Sequence, residues 1–385
     1  MKILVDCATA KVGGAWTYVE ELLKALAAAG DGNRWIVYTG LGPEHPLPRV
    51  PDSVEIRRLP PVWARPAGHL IWLAFVLPRQ VRAEGLDAVF AATGFGMPWP
   101  ACLQVILVRN PIYFSEPYAR QVRSFFLKLD LALRRWICLR MIRSSSAVLF
   151  PTQAMADLVS QYLPLKGSRA VIAPYGCDLD LFRPKIQDSG WFPAPVLREK
   201  GGFLLNVSLY CAQKNFTVLF KALALLREKG SRPLLVLTTR LMPAPNSNYE
   251  EDSEIIARER LQDQVLPLGP VPRDRLPALY QAAGLFVFPS YVESFGHPLV
   301  EAMAGGLPIL AADTPVNREV CGPAAVYAPA FDPERWAAEI QRLLGTPQER
   351  ARLREAALER ASRFSWAAHV QAIVRAAQTA AKAPS

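Results

Sequence analysis

Histidine is scarce in this chain: 385 residues include only His45, His69, His297 and His369. No group of His, Cys, Asp and Glu has the spacing of a metal centre, so neither a metal nor a cofactor is expected. The six cysteines, Cys7, Cys102, Cys138, Cys177, Cys211 and Cys321, are scattered, with no C-x-x-C pair. They read as buried free thiols in a reducing compartment. No apolar run nears the ~20 residues that a membrane span needs. The longest, Leu70 to Leu77, is far shorter, and the apolar start at Met1 to Val5 ends at Asp6, too soon for a signal-peptide core. These absences predict a cytoplasmic protein, with a position at the inner face of the membrane left open. Zinc-finger spacing and RNP-like aromatics are missing too, so nucleic acid is not an expected partner of the +10 net charge. The basic excess points to phosphorylated substrates or acidic membrane surfaces.

What is present is a long alternation of short apolar runs and helical periodicity, with 51% hydrophobic residues to fill sizeable cores. Lys2 to Cys7 reads as a buried parallel strand. Gly13-Gly14 follows, then a helix with Trp16, Val19, Leu22, Leu23 and Leu26 on one face. Further strands are expected at 34–38, 54–57, 88–92, 105–108, 147–150 and 170–173. Periodicity lapses between about Asp178 and Lys200, and the pattern restarts with strands at 203–207, 233–238, 285–288 and 308–311 and helices at 216–229, 253–262 and 298–304. Alternating strands and helices imply parallel sheets covered on both faces. We infer two similar doubly wound α/β domains facing a central cleft, at 1–177 and 201–365, with a linker at 178–200 and a closing helix at 366–385.

The most informative stretch runs from Glu293 to Pro308. It follows the apolar run Leu285-Phe286-Val287-Phe288, turns at Pro289-Ser290, and passes through Ser294, Phe295, Gly296 and His297 into a helix beginning near Pro298. Backbone N–H groups at a helix start suit phosphate or sugar oxygens. Glu293 stands before the helix and Glu301 one turn inside it, and carboxylates accept hydrogen bonds from hydroxyls. Lys214, beside the expected helix cap Asn215, is placed to meet a diphosphate. Gly13 and Gly14 allow close backbone approach, yet the chain has neither a complete G-x-G-x-x-G nor a P-loop there. Asp178-Leu179-Asp180 reads as a structural corner and not as a metal pair.

The stretch from Leu285 through Gly305-Gly306-Leu307-Pro308 resembles the donor-site signature of the retaining glycosyltransferases of family four, which have the GT-B architecture of two Rossmann-like domains. The resemblance implies an acceptor-binding N-terminal domain, a nucleotide-sugar-binding C-terminal domain, and a final helix that crosses back to the first. It implies a hexosyltransferase whose nucleotide-sugar, a GDP- or UDP-sugar with a mannosyl-like donor on GDP as the first guess, is a substrate and not a cofactor. Its acceptor would be a glycan or lipid-linked saccharide, as in surface polysaccharide synthesis. It implies that Glu293 lies beside the transferred sugar, that Glu301 binds ribose, that Lys214 binds the diphosphate, and that backbone from Phe295 to Leu299, with Gly13 and Gly14, lines the donor. The chain departs from the pattern twice. Ser208-Leu209-Tyr210 stands where relatives carry an arginine, and Arg109-Asn110-Pro111 where many carry a histidine. Asn110 is taken as the substitute facing the sugar, with Arg109 helping the phosphate. Retaining transfer by front-face attack needs no histidine base, because the leaving phosphate oxygen can take the acceptor proton. A nucleotide-sugar epimerase and a catalytically silent binding subunit of the same architecture stay open as alternatives.

Arg120 to Arg143 is strongly basic. At helical spacing, Val122, Phe125, Phe126, Leu129, Leu133, Trp136 and Ile137 form one stripe, while Arg120, Arg123, Lys128, Arg134 and Arg135 mostly face away. A basic amphipathic helix of this kind can lie on an anionic bilayer. The slightly favoured expectation packs the apolar stripe on the N-terminal sheet and leaves the charges to solvent, lipid or acceptor.

Overall fold

The structure is a computed structural model that describes residues 1–10, 14–42, 47–122, 124–165, 169–183, 202–244 and 247–382. Gly13, Arg123 and the part of the expected linker at 184–200 lie outside the described residues. The chain divides into two compact units, Met1–Gly176 with Ser365–Ser385, and Cys177–Phe364.

The first unit holds β1 (Lys2–Cys7), β2 (Arg34–Thr39), β3 (Val54–Arg58), β4 (Ala88–Ala91), β5 (Leu103–Leu107), β6 (Ala147–Phe150) and β7 (Ala170–Ile172). They form one sheet in the order β3-β2-β1-β4-β5-β6-β7, every neighbouring pair parallel. The second holds β8 (Leu204–Asn206), β9 (Leu235–Leu237), β10 (Val265–Pro267), β11 (Leu285–Phe288), β12 (Ile309–Ala312) and β13 (Ala325–Ala328), in the order β10-β9-β8-β11-β12-β13. Both follow the doubly wound Rossmann order. Central strands such as β1 and β11 are buried along almost their whole length, as continuous apolar runs require when helices cover both faces. Strand order reverses between β1 and β4 and between β8 and β11, and ligands of doubly wound sheets bind beyond the strand C-termini at such points.

Two short strands, β10 and β13, were not expected. Val-Leu-Pro and Ala-Val-Tyr-Ala carry too little apolar length to stand out, and their neighbours in the sheet set their pairing. Tyr249–Arg258 is the helix expected at 253–262. Asn215 does not cap the helix Phe216–Glu228 with its side chain: it takes the left-handed conformation (φ 53°), and its amide donates to the Ala330 carbonyl at 2.5 Å.

The basic helix, Phe125–Ser144, is oriented against expectation. It buries Leu131, Cys138, Met141 and Ile142. Phe125, Phe126, Leu129, Leu133 and Trp136 are exposed, Phe126 at 82% and Leu133 at 53%. The helix therefore offers its large apolar side chains, not only its charges, to the surroundings. The inward face is built from smaller and later residues, Cys138 to Ile142, which pack against β5 and β6 residues such as Ile106 and Val148.

The helix Trp366–Lys382 belongs to the first unit. Gly176 meets it so closely that a Cβ there would lie 2.1 Å from the Trp366 amide nitrogen, a space only glycine fits. His369, on the buried face of this helix, has Nδ1 3.1 Å from the Ala173 carbonyl and Nε2 2.9 Å from the Tyr18 hydroxyl. Nδ1–H donates to the carbonyl and Nε2 accepts from Tyr18, so the ring is neutral. Burial lowers its pKa from 6.5 to about 4. With the folded value below the unfolded one, this contribution is complete above pH 6.5 and drains as pH falls through about 4. The loss amounts to about 3 kcal/mol. Melting temperature should fall across that interval, and His369→Phe, which cannot take up a proton, should flatten the dependence. A variant with the wild-type slope would contradict this.

Candidate functional site

The second unit gathers its polar groups at the β8/β11 reversal. The turn after β8 ends in the short 3-10 helix Ala212–Lys214, and the loop after β11 carries Ser290 and Glu293. The Lys214 ammonium forms an ion pair with Glu293 Oε1. The same oxygen accepts from the Ser290 hydroxyl at 2.7 Å, and Lys214 lies 5.7 Å from the centre of the Phe288 ring. Both partners are largely buried. Burial alone would depress the Lys214 pKa, but the Glu293 carboxylate outweighs it and the ammonium is held above its ordinary value. The loop is pinned from below: Asn317, buried, donates to the Ser290 carbonyl at 3.3 Å and the Ala312 carbonyl at 2.9 Å.

The chain then enters the helix His297–Ala304 through Gly296, whose φ of 86° explains glycine at that position. Phe295 is buried and stands edge-on to His297, with ring centres 5.5 Å apart. Ser294 lies between Glu293 and Phe295. Backbone donation was expected from Phe295 to Leu299, and this narrows. Pro298 has no N–H, and the Leu299 N–H donates to the Gly296 carbonyl at 2.9 Å, while the Leu299 side chain is core. Pro298 and Leu299 therefore drop out of the expected set of backbone donors. Glu301, one turn in, is buried and accepts from the Tyr280 hydroxyl at 3.0 Å. Burial, then the Glu301 charge, hold the Tyr280 phenol well above its usual range, so it stays a donor. Tyr280 and Asn317 escaped sequence reading, because contacts across 21 and 27 residues carry no local pattern, and Ser290 was read only as a turn residue. At the arginine-less turn, the Tyr210 hydroxyl donates to Asp252 at 2.6 Å. Asp178 caps the helix Leu179–Phe182 by accepting from the Leu181 N–H.

The first unit has its own cavity, about 520 Å³, lined from the loops after β1 (Thr9, Ala10) and β4 (Thr93, Phe95). Arg109 and Asn110, from the loop after β5, line it too. Arg109 donates to the Gly14 carbonyl at 3.5 Å and stacks over Tyr18 at 5.0 Å. Asn110 spends its carboxamide oxygen on the Ile112 N–H at 3.2 Å, starting the turn Pro111–Tyr113. A histidine does line this cavity, but from the helix Pro66–Ile71 and not from the loop after β5: His69 Nε2 lies 2.9 Å from Asp6 Oδ2 and Nδ1 3.2 Å from the Trp63 carbonyl. Burial opposes charge on this ring, but Asp6 prevails and the pKa is raised. Both nitrogens face oxygen partners, so His69 is tied into the cavity wall. Among the described residues no cluster of three metal-ligating side chains occurs.

Residues 12–181 match the family model described as Glycosyltransferase Family 4, and residues 189–360 that described as Glycosyl transferases group 1. A D-inositol 3-phosphate glycosyltransferase from Salinispora tropica is 34% identical over 224 residues, 54% of this chain and 46% of the relative. The chain thus spans about half the length of the curated relatives it matches. Sucrose-phosphate synthase from Thermosynechococcus elongatus superposes with a TM-score of 0.77 at 21% identity, covering 99% of this chain and 100% of the other. Anabaena Alr3699/HepE, solved with UDP-glucose, superposes with a TM-score of 0.69 at 21% identity over the whole of both chains. The two parallel-sheet units have the GT-B fold, and the chain belongs to glycosyltransferase family four.

Proposed function

We propose that this protein transfers a hexose from a UDP- or GDP-sugar to a saccharide or lipid-linked acceptor, with retention at the anomeric carbon and without a metal. The observation that carries the reading is the Lys214–Glu293 pair at the β8/β11 reversal, one loop from the buried Glu301. A cation, a carboxylate and a helix start at a topological switch point suit a diphosphate joined to polyhydroxyl groups at both ends. Lys214 binds the diphosphate, exchanging Glu293 for phosphate oxygens. Glu301, steadied by Tyr280, binds the ribose. Glu293, released from Lys214, faces the sugar and stabilises positive charge at the anomeric carbon. Gly14, Arg109 and Asn110 serve the acceptor side. In the reaction, the bond from the anomeric carbon to the diphosphate oxygen breaks with its electron pair going to phosphate. The acceptor hydroxyl oxygen bonds to that carbon, and its proton passes to the departing phosphate oxygen. UDP-glucose in the Anabaena structure supports a nucleotide-sugar donor.

No described helix is long and apolar enough to cross a membrane. The exposed apolar stripe of Phe125–Ser144, with Lys128, Arg140 and Arg143 exposed on the same helix, supports a resting position on an anionic bilayer.

A thermal-shift screen with UDP, GDP, ADP and their sugar conjugates, with and without EDTA, tests the donor reading. A ligand at ~100 times its dissociation constant stabilises by about 2.7 kcal/mol. One nucleotide should stabilise selectively and without regard to EDTA. Stabilisation that EDTA abolishes, or none with any nucleotide, would contradict the proposal.

A further inference from the structure

The first unit's cavity has a mixed lining. Arg109, Asn110, Thr9 and Thr93 are polar, Leu70, Phe95, Leu133 and Ile137 are apolar, and the charges of Asp130 and Arg134 are paired with each other at 2.6 Å. At about 520 Å³ it falls in the ~300–1,000 Å³ range of small-molecule sites. Among the described residues Arg109 has no carboxylate partner; its charge rests on a carbonyl and a tyrosine ring. The Thr93 hydroxyl oxygen is buried and likewise has no hydrogen-bond partner among them. An unneutralised guanidinium and an idle hydroxyl lining one cavity suit an anion with several oxygens.

The apolar lining does not stop at the cavity. Leu133 lines it and is also half exposed, and it sits in the row Phe125, Leu129, Leu133, Trp136, which follows helical spacing along the outside of the molecule. Ala67 and Leu70, also in the lining, are followed by exposed Ile71 and Phe75. An apolar path therefore runs from Arg109 outward onto a helix that carries Lys128, Arg134, Arg135, Arg140 and Arg143 against a single acid, Asp130. A soluble sugar would leave this path wet and the stripe uncovered. A molecule with a phosphate head and a hydrocarbon tail covers both.

Resting on the donor reading above, we propose that the acceptor is lipid-borne: a saccharide joined through phosphate to a long hydrocarbon chain. The phosphate sits at Arg109, the chain leaves past Leu70, Leu133 and Ile137, and the helix Phe125–Ser144 lies on the bilayer that holds it. Charge complementarity selects this occupant over a second apolar protein surface, because the path begins at an unpaired cation and ends among cations.

The test uses the full chain and three probes: geranyl phosphate, geraniol and inorganic phosphate. Geranyl phosphate should bind about tenfold tighter than either part, the effect of one added charge-assisted contact or of the tail. Arg109→Gln should lose about that factor for geranyl phosphate and none for geraniol. Ala67→Trp, a change at an exposed position of the cavity rim, should abolish binding of both. Flotation with phosphatidylcholine vesicles holding undecaprenyl phosphate should carry the wild type. Vesicles matched in charge with phosphatidylglycerol should carry less of it. The double change Leu129→Glu with Trp136→Glu should abolish flotation yet keep geranyl phosphate binding. Equal flotation on both vesicles, geranyl phosphate no better than inorganic phosphate, or loss of self-association as the only effect of the double change would each overturn the proposal. Nucleotides run in the same samples separate the two claims. Nucleotide binding without geranyl phosphate binding sinks the lipid acceptor alone, and geranyl phosphate binding without nucleotide binding sinks the donor reading and the acceptor role with it.

Discussion

Glu293→Gln should lower turnover by roughly 10²–10³-fold while donor affinity stays within a few-fold, the size of effect seen when one preorganised electrostatic partner of a transition state is removed. The reason lies in what Glu293 touches. Its Oε1 is shared by the Lys214 ammonium and the Ser290 hydroxyl at 2.7 Å, so Ser290 still places the carboxylate once phosphate takes Lys214. Glutamine keeps the shape and an acceptor for Ser290 but removes the charge that a positive anomeric carbon calls for. Steady-state kinetics with the donor identified in the nucleotide screen measures the split between kcat and KM. A variant whose KM rises while kcat is unchanged would make Glu293 a ground-state binding residue and refute its assigned role.

Lys214→Ala should weaken donor binding by about 10–100-fold, the equivalent of the ~1.5–3 kcal/mol of a hydrogen bond to a charged group. This variant also strands Glu293 without its cation in a largely buried position, so some stability is lost. The two effects separate through the double variant Lys214→Met with Glu293→Gln, which removes the pair together. It should recover the melting temperature of the wild type more nearly than Lys214→Ala does, and still bind the nucleoside diphosphate weakly. Calorimetric titration of the nucleoside diphosphate reads the affinity. Wild-type affinity in Lys214→Ala would mean that the ion pair is structural and that phosphate is bound elsewhere.

The alternation of apolar runs and helical periodicity was enough to read two doubly wound units, because buried parallel strands such as β1 and β11 are continuous hydrophobic runs whatever their neighbours. β10 and β13 were not legible, since three or four residues of weak β character acquire their state from the strand beside them. The donor loop was legible as a local motif from Glu293 to Pro308. Its supports were not: Tyr280 reaches Glu301 and Asn317 reaches Ser290 from other elements, and only the fold brings them near. The basic helix misled for a different reason. Periodicity shows that Phe125, Leu129, Leu133 and Trp136 share a face, but not which way that face points. The turn from Cys138 to Ile142 settles it, because those residues fill the core. Leu299 shows the same gap at the level of one atom, where a residue of the donor loop spends its amide on Gly296.

The most direct measurement is amide hydrogen exchange on the full chain with and without the nucleoside diphosphate that stabilises it. The account predicts protection in the peptides covering residues 207–215 and 290–302, which flank the β8/β11 reversal, with Lys214→Ala reducing it at matched ligand concentration. Protection confined to the first unit's cavity loops, around residues 8–10 and 92–97, would contradict a donor site on the second unit.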